Sequence, residues 1–564
     1  AHVATVTLSA MGALTLVTAV SALAQLRSRA APPFAAPAPA LAAPARLPPA
    51  SLPSTSPRPT SPPPDRDPIP SQPERRDRAI ARVSDRVALC GLLAIGLAVR
   101  LACSRGIWLD EATTIHQAQM PLGQMLHVLR TTDVHPPLYF LVEWGVAHVA
   151  GTGETAMRAQ SLLAGTALIA VMYLLGRELY DRRAGMLAAA LGTLAPFLVW
   201  YSQEARMYAL FMLFAALATY AQVLVFRRGA KRHWALYALA AAGLIWTQYF
   251  GALFVGVQQV GFLVAACSLR RSGRPAWPFL RAWLVTLTLV VLAVLPVVPF
   301  ALDQFQANQA AGKGFDAPAN AGAGVSDPAQ SKPGIYGLLT NFAWGVGGYH
   351  SDVTMAELAA LWPLGMLGGL LALGRDRRPI SRLLLAYALV PALALFALGF
   401  AKPFVFEIRY FCGAVPLLFV LLARAATGWV RGTVAIVVLA TVLLGTLAVA
   451  EADQQLNRSN PRMYDFEGAI EKIEAERRPG DVLLYEPDDL SDLISYYGRG
   501  LRAGPLAGGV PRRRDAGRVF LLGSFLTDKG NVLATRRGLA ALRREWKPLG
   551  GFQRPQVRVW EFGK

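Results

Sequence analysis

Charge is scarce in this chain. Of 564 residues only 16% are Asp, Glu, Lys or Arg, against about 25% in soluble domains. Hydrophobic residues make up 54%, and the mean hydropathy is +0.36. That balance excludes an ordinary water-soluble globule. Acids are scarcer than bases, 36 against 56, for a formal net charge of +20. In a soluble protein such an excess would suggest nucleic acid. Here the arginines gather in short loops between apolar runs, the positive-inside pattern, so no nucleic-acid partner is expected. Cysteine is nearly missing: Cys90, Cys103, Cys267 and Cys412 lie in or beside apolar runs without metal-like spacing, which argues against disulfides and zinc–thiolate sites. There is no P-loop, GxGxxG, CxxC or Ser/His/Asp order, so nucleotide-driven chemistry has no support. Nor is there an internal repeat of solenoid period.

Apolar runs of roughly twenty residues recur instead, the mark of a polytopic α-helical membrane protein. Residues 1–30 read as a hydrophobic anchor helix, too long for a signal-peptide core. Residues 31–74 are a Pro/Ala/Ser-rich linker that cannot bury a core and is expected to be disordered. Residues 75–450 form a transmembrane domain and 451–564 a soluble domain. Eleven core crossings are expected near 87–104, 156–176, 184–200, 207–226, 234–249, 251–269, 281–302, 355–374, 382–400, 409–427 and 432–450. The basic cluster Arg75–Arg86 and the later basic loops fall on the cytoplasmic side only if the short apolar stretch 136–150, interrupted by Glu143 and His148, does not cross. Asp110, His135, Glu204, Tyr249 and Arg409 then share the opposite side. Residues 303–352 form a long outer loop. In 451–564, helices near 464–477, 488–497 and 531–546 alternate with strands at 481–485, 518–522 and 557–561, which predicts a small extracytoplasmic α/β domain.

Four polar clusters at that outer face can carry chemistry. Asp110 and the adjacent Glu111 follow the first core crossing. An acid there can serve as general base or hold a divalent cation, or can simply start a helix. His135, before Pro136-Pro137, can bind a metal, donate to phosphate or merely mark a turn. In Tyr201-Ser202-Gln203-Glu204-Ala205-Arg206-Met207-Tyr208, Arg206 suits a phosphate clamp and Glu204 a second acid or cation ligand. An aromatic belt with a local ion pair is the plainer reading. Arg409-Tyr410 opens a late helix beside Glu407, where a cation can offset a leaving phosphate or pair with the glutamate. Tyr249 sits at another outer helix end. Arg100, inside the first crossing, is expected to snorkel or to pair with an acid in the bundle.

In this order, Asp110-Glu111, His135-Pro136-Pro137-Leu138-Tyr139, Tyr201 to Tyr208 and Arg409-Tyr410, the chain resembles the bacterial family 39-type glycosyltransferases. These belong to the GT-C class, with the protein O-mannosyltransferases and the lipid A aminoarabinose transferase. The similarity spans roughly residues 85–430 and leaves the linker and the C-terminal domain outside. The resemblance implies a polyprenyl-phosphate sugar donor, mannose-like or arabinose-like, and an extracytoplasmic glycan, lipid or protein acceptor. It also implies inversion at the anomeric carbon, in the plasma or inner membrane. By it Asp110 is the base and Glu111 its supporting neighbour. His135, Tyr201, Glu204, Arg206, Tyr208, Tyr249, Arg409 and Tyr410 bind donor phosphate or substrate. Metal use varies within the class; Asp110, Glu204 and His135 are the donors available to a divalent ion. A flippase of lipid-linked sugars and a non-catalytic, glycan-binding envelope protein are the competing readings. The first would want mid-membrane charges and visible repeats.

Overall fold

The computed structural model describes residues 72–103, 105–310, 334–349, 379–401, 406–429, 432–457, 460, 462–526 and 529–564. The expected anchor helix, nearly all of the linker, the crossing near 355–374 and much of the outer loop 303–352 lie outside the described residues.

The body is a polytopic helical membrane bundle. Among the described residues, seven helices are long and apolar enough to cross a bilayer, or eight if one bent pair counts as a single span. The helix Trp277–Val294 shows why lipid is the solvent: it is apolar on all sides, yet only 11% of it is buried. Two further expected crossings form helices that miss this standard. Gln72–Leu101 carries several charges, and Lys231–Thr247 has 17 residues. The first of these begins well before residue 87, because Pro73 falls in the first turn, where its missing N–H costs no hydrogen bond.

Proline corrects two other expected crossings. Residues 184–200 are not one helix but two, Arg182–Leu194 and Pro196–Ser202, bent by 59°. Pro196 has no N–H for the Gly192 carbonyl, so the ladder stops there. The fully buried Arg100 takes over. Its Nη2 donates to the Gly192 carbonyl at 3.0 Å, its Nη1 to that of Thr193 at 3.4 Å, and its Nε to Ser202 Oγ at 3.1 Å. Arg100 does not snorkel; with the buried Glu451 as the acid that acts on its charge, it closes the gap left by the break. Residues 281–302 likewise divide at Pro296 into Trp277–Val294 and Val297–Ala310.

Three short helices follow the first crossing: Leu109–Gln119, Leu122–Thr132 and Leu138–Ala150. The last has 13 residues. At about 1.5 Å per residue it spans only ~20 Å, short of the ~30 Å hydrocarbon core, which fits the non-crossing reading of 136–150.

The C-terminal domain is a five-stranded mixed sheet. We number the strands β1 (Val482–Glu486), β2 (Ala503–Pro505), β3 (Val519–Ser524), β4 (Lys547–Arg554) and β5 (Val557–Gly563). Their order is β2-β1-β3-β5-β4; β1 is parallel to β2 and β3, and β5 runs antiparallel to both of its neighbours. Sequence periodicity finds β1, β3 and β5 but misses β2, a three-residue edge, and β4, whose Gly550-Gly551 pair and exposed residues carry no alternation. The two sheet faces have different neighbours. Leu483, Tyr485, Phe520, Leu522 and Val559 share a core with Ile107, Ala112, Ile115, Met157 and Ala205 of the body, with the helices Phe466–Glu476 and Ser491–Tyr497 in between. Val482, Leu484, Val519, Leu521 and Phe562 pack instead beneath the helix Lys529–Glu545 with Leu542 and Trp546. The domain is thus fastened to the helix Leu109–Gln119 and its neighbours through a continuous apolar core.

Replacing Arg100 by Met strands the Gly192 and Thr193 carbonyls, each at a cost of about 1–3 kcal/mol. The apparent unfolding temperature of the purified protein in detergent is expected to fall by about 5 °C or more. An unchanged temperature would contradict the role given to Arg100.

Candidate active site

Two neighbouring acids part company at the start of the helix Leu109–Gln119. Trp108 is its N-cap, and Glu111, in the third helical position, folds back to accept from the Trp108 N–H at 3.2 Å. This turns Glu111 inward, with no solvent exposure, and leaves Asp110 facing out. Glu111 accepts from Arg158 Nε at 2.8 Å and Nη2 at 2.7 Å, and from the Ala205 N–H at 2.7 Å. Burial works against its ionisation, but Arg158 and the Ala205 N–H outweigh burial and hold it below the usual carboxylate range. Arg158 also donates to the carbonyls of Arg105 and Gly106, each at 2.9 Å. The C-terminal domain clamps the same strip. The Ile107 N–H donates to Tyr497 Oη at 2.5 Å, and Tyr497 Oη donates to Glu154 Oε1 at 2.8 Å.

Asp110 stands between two guanidinium groups. Its Oδ2 is 3.9 Å from Arg206 Nε and 3.9 Å from Arg409 Nη1. These are ion pairs too long for direct hydrogen bonds, so the carboxylate is flanked by positive charge without being saturated. Arg206 is steadied by donating to Thr114 Oγ1 at 3.1 Å, and Arg409 Nε pairs with Glu407.

Beside them opens a cleft of about 660 Å³, whose lining includes Trp108, Tyr201, Glu204, Tyr208 and Arg409. Glu204 reaches it because it directly follows the helix Pro196–Ser202, which the break at Pro196 bends by 59°. Its Oε1 accepts from Trp200 Nε1 at 2.7 Å and lies 3.6 Å from Arg105 Nη1, while the buried Oε2 has no hydrogen-bond partner among the described residues. Burial first, then the charges of Glu111 and Asp110, against the pull of Arg105, push Glu204 up to about 7.

Sequence reasoning misses the rest of the wall. Arg105, Trp200, Trp344, Tyr349, Arg462 and Tyr464 also line the cleft. Arg105 lies flat on Trp200, 3.4 Å from the ring centre, and Arg462 sits 5.1 Å over Tyr349. Tyr349 and Tyr201 join hydroxyl to hydroxyl at 2.7 Å. A signal for Arg105 and Arg158 exists: both are basic residues on the expected outer side, against the positive-inside trend. Arg462 and Tyr464 belong to the chain entering the C-terminal domain, which carries no such cue.

Other expected residues stand apart. His135 Nδ1 pairs with Asp133 Oδ1 at 2.7 Å. Burial would raise Asp133, but His135 and Arg206 together bring it down to about 2. Tyr249 Oη donates to Gln304 Oε1 at 2.8 Å, and Gln304 Nε2 donates to the His135 carbonyl at 2.9 Å. His135 and Tyr249 thus tie the 133–137 turn to the helix Val297–Ala310, beside the cleft rather than in its lining. Tyr410 packs on Phe250 at 5.0 Å between ring centres, with the Arg409 guanidinium 5.5 Å from its ring centre. Asp110, Glu204 and His135 do not gather as metal donors. Among the described residues no group of three or more His, Cys, Asp or Glu is arranged to hold an ion.

A family model described as dolichyl-phosphate-mannose-protein mannosyltransferase matches residues 134–297. Two solved structures share the fold over nearly their whole length. ArnT from Cupriavidus metallidurans in the apo state has 11% identity and TM-score 0.52, covering 85% of this chain and 98% of that one. The same protein bound to undecaprenyl phosphate gives 11%, 0.51, 84% and 97%. The chain shares the ArnT fold. No curated protein matches it by sequence. The family match contains Glu204 and Arg206 but begins after Asp110 and ends before Arg409, so the charged centre is completed from both sides of it.

A carboxyl held near 7 in the fold, against about 4.3 unfolded, favours folding fully at low pH. It loses that contribution as pH rises through about 7. Apparent unfolding temperatures at pH 5 and pH 8 should therefore differ more for the native protein than for Glu204→Gln. Equal pH dependence in the two would contradict the assignment.

Proposed function

We propose that the protein transfers a mannose-like or arabinose-like sugar from a polyprenyl-phosphate donor to a hydroxyl of an extracytoplasmic acceptor, inverting the anomeric carbon, with Asp110 as general base. The observation that carries this reading is the placement of Asp110 between Arg206 and Arg409 beside the cleft. An acid flanked by two cations at one membrane face matches a reaction in which a proton is lost on one side of a bond and a phosphate leaves on the other. The undecaprenyl phosphate bound to the ArnT relative supports a lipid phosphate as the donor's leaving group.

The roles follow from charge and reach. The prenyl tail stays in lipid and its phosphate lies at the interface. As the acceptor oxygen attacks the anomeric carbon, Asp110 takes the hydroxyl proton. The bond from that carbon to the phosphate oxygen breaks on the opposite face, and the electron pair leaves with the polyprenyl phosphate. Arg409 and Arg206 offset the growing phosphate charge in a site shielded from water. The donor bond is already activated, so no nucleotide is needed. Glu111 acts at one remove: held by Arg158, it fixes the direction in which Asp110 points. Glu204, half protonated near neutral pH, hydrogen-bonds a sugar hydroxyl, and the aromatic wall of Tyr201, Trp344 and Tyr349 supports the sugar ring. His135 and Tyr249 shape the outer turn that carries Arg206's neighbour Asp133.

Asp110→Asn should lower turnover by roughly 10²–10⁴-fold without lowering the unfolding temperature. The assay is release of polyprenyl phosphate from a panel of labelled lipid-linked sugars. Transfer at the native rate would overturn the reading. Arg409→Met should cost about 10²–10³-fold in the same assay.

A further inference from the structure

The C-terminal domain carries a second charged feature, on the side away from the cleft. The helix Lys529–Glu545 buries Leu542 against the sheet and leaves Arg536, Arg537, Arg543 and Arg544 exposed. The two pairs are seven residues apart, about two helical turns or ~10 Å along one face. The row continues at the C-terminal end of the helix. Trp546 Nε1 donates to the Pro511 carbonyl at 2.9 Å and Arg513 to that of Glu545, so the exposed run Arg512-Arg513-Arg514 and Lys547 join the same surface.

Arg518 of this domain shows what structural use looks like. Arg518 is bound by Asp481 at 2.8 Å and Glu561 at 2.6 Å. Among the described residues, Arg536, Arg537, Arg543, Arg544 and Lys547 have no acid within ion-pair distance. Cations in a last turn also complement the helix dipole, which accounts for Arg543 and Arg544 but not for the mid-helix pair or the 512–514 run.

Position decides the partner. The opposite sheet face shares its core with the outer loops of the membrane body. The basic helix therefore lies on the far side of the sheet from the membrane body, about 10 Å beyond it by ordinary layer spacing. A surface turned away from the body favours a partner in solution over lipid headgroups. We propose that this surface docks an extended anionic polymer, with phosphate or carboxylate groups at short intervals, for which guanidinium forks are well matched. That the docked polymer is the acceptor rests on the transferase reading above; the docking itself does not.

The test uses the full chain in neutral detergent and fluorescently labelled inorganic polyphosphate, followed by anisotropy at low and physiological salt. The native protein should bind, and binding should weaken as salt rises. The quadruple variant R536E/R537E/R543E/R544E should bind roughly 10-fold or more weakly at an unchanged unfolding temperature. Reversal of Arg227, Arg228, Lys231 and Arg232, on the expected cytoplasmic side, should leave binding intact. Native-like binding by the first variant, no binding by the native chain, or binding only to anionic lipid vesicles would overturn the proposal. Because the readout is binding, its failure is distinct from any failure of Asp110 in the transfer assay.

Discussion

The buried pair of Glu111 and Arg158 is the joint on which the charged site is built. One carboxylate and one guanidinium, both withdrawn from water, collect the Trp108 and Ala205 N–H groups and the Arg105 and Gly106 carbonyls. Removing one partner of such a pair costs about 3–5 kcal/mol, because the other is left charged and buried. Replacing both by well-packed apolar groups can be neutral, so its value here is geometric. It joins the exit of the first helix, the helix Glu154–Leu179 and the turn at 203–207 in one arrangement, and that arrangement sets where Asp110 and Arg206 stand. The C-terminal domain reaches the same joint through Tyr497 and Glu154, so a soluble domain and a membrane bundle share one rigid point.

A second constraint works from below. A helix that breaks in lipid exposes backbone groups that water cannot satisfy. Here the break at Pro196 is tolerated because Arg100 from a neighbouring helix fills it, and the 59° bend brings Trp200, Tyr201 and Glu204 to the cleft. A charge buried in the bundle thus acts as scaffold for charges at its surface. Asp110, Glu204, Arg206 and Arg409 in turn shape one another's environment, since they stand close together in a largely buried site.

Much of this was legible in the sequence. Long apolar runs separated by arginines announce the bundle, and the stretch with Glu143 and His148 forms a single short helix. Asp110, Arg206 and Arg409, far apart in sequence, do meet, because each stands at or just before a helix start. What stayed hidden depends on direction rather than composition. Nothing in Asp110-Glu111 says which acid turns inward; the capping box decides it. His135 and Tyr249 look like site residues by position; they bond to Asp133 and Gln304 and do not line the cleft. The breaks at Pro196 and Pro296 are written plainly as prolines, but apolar periodicity reads through them. Tyr349 and Arg462 reach the cleft only through tertiary contacts.

The central claim is that the charged centre around Asp110 handles a lipid-borne phosphate. The most direct measurement is an experimental structure of the full chain with a non-transferable polyprenyl-phosphate sugar analogue. The phosphate should lie within hydrogen-bond reach of Arg206 or Arg409, with the anomeric carbon facing Asp110 across the cleft. A phosphate bound away from both guanidinium groups, or a sugar turned from Asp110, would contradict the account.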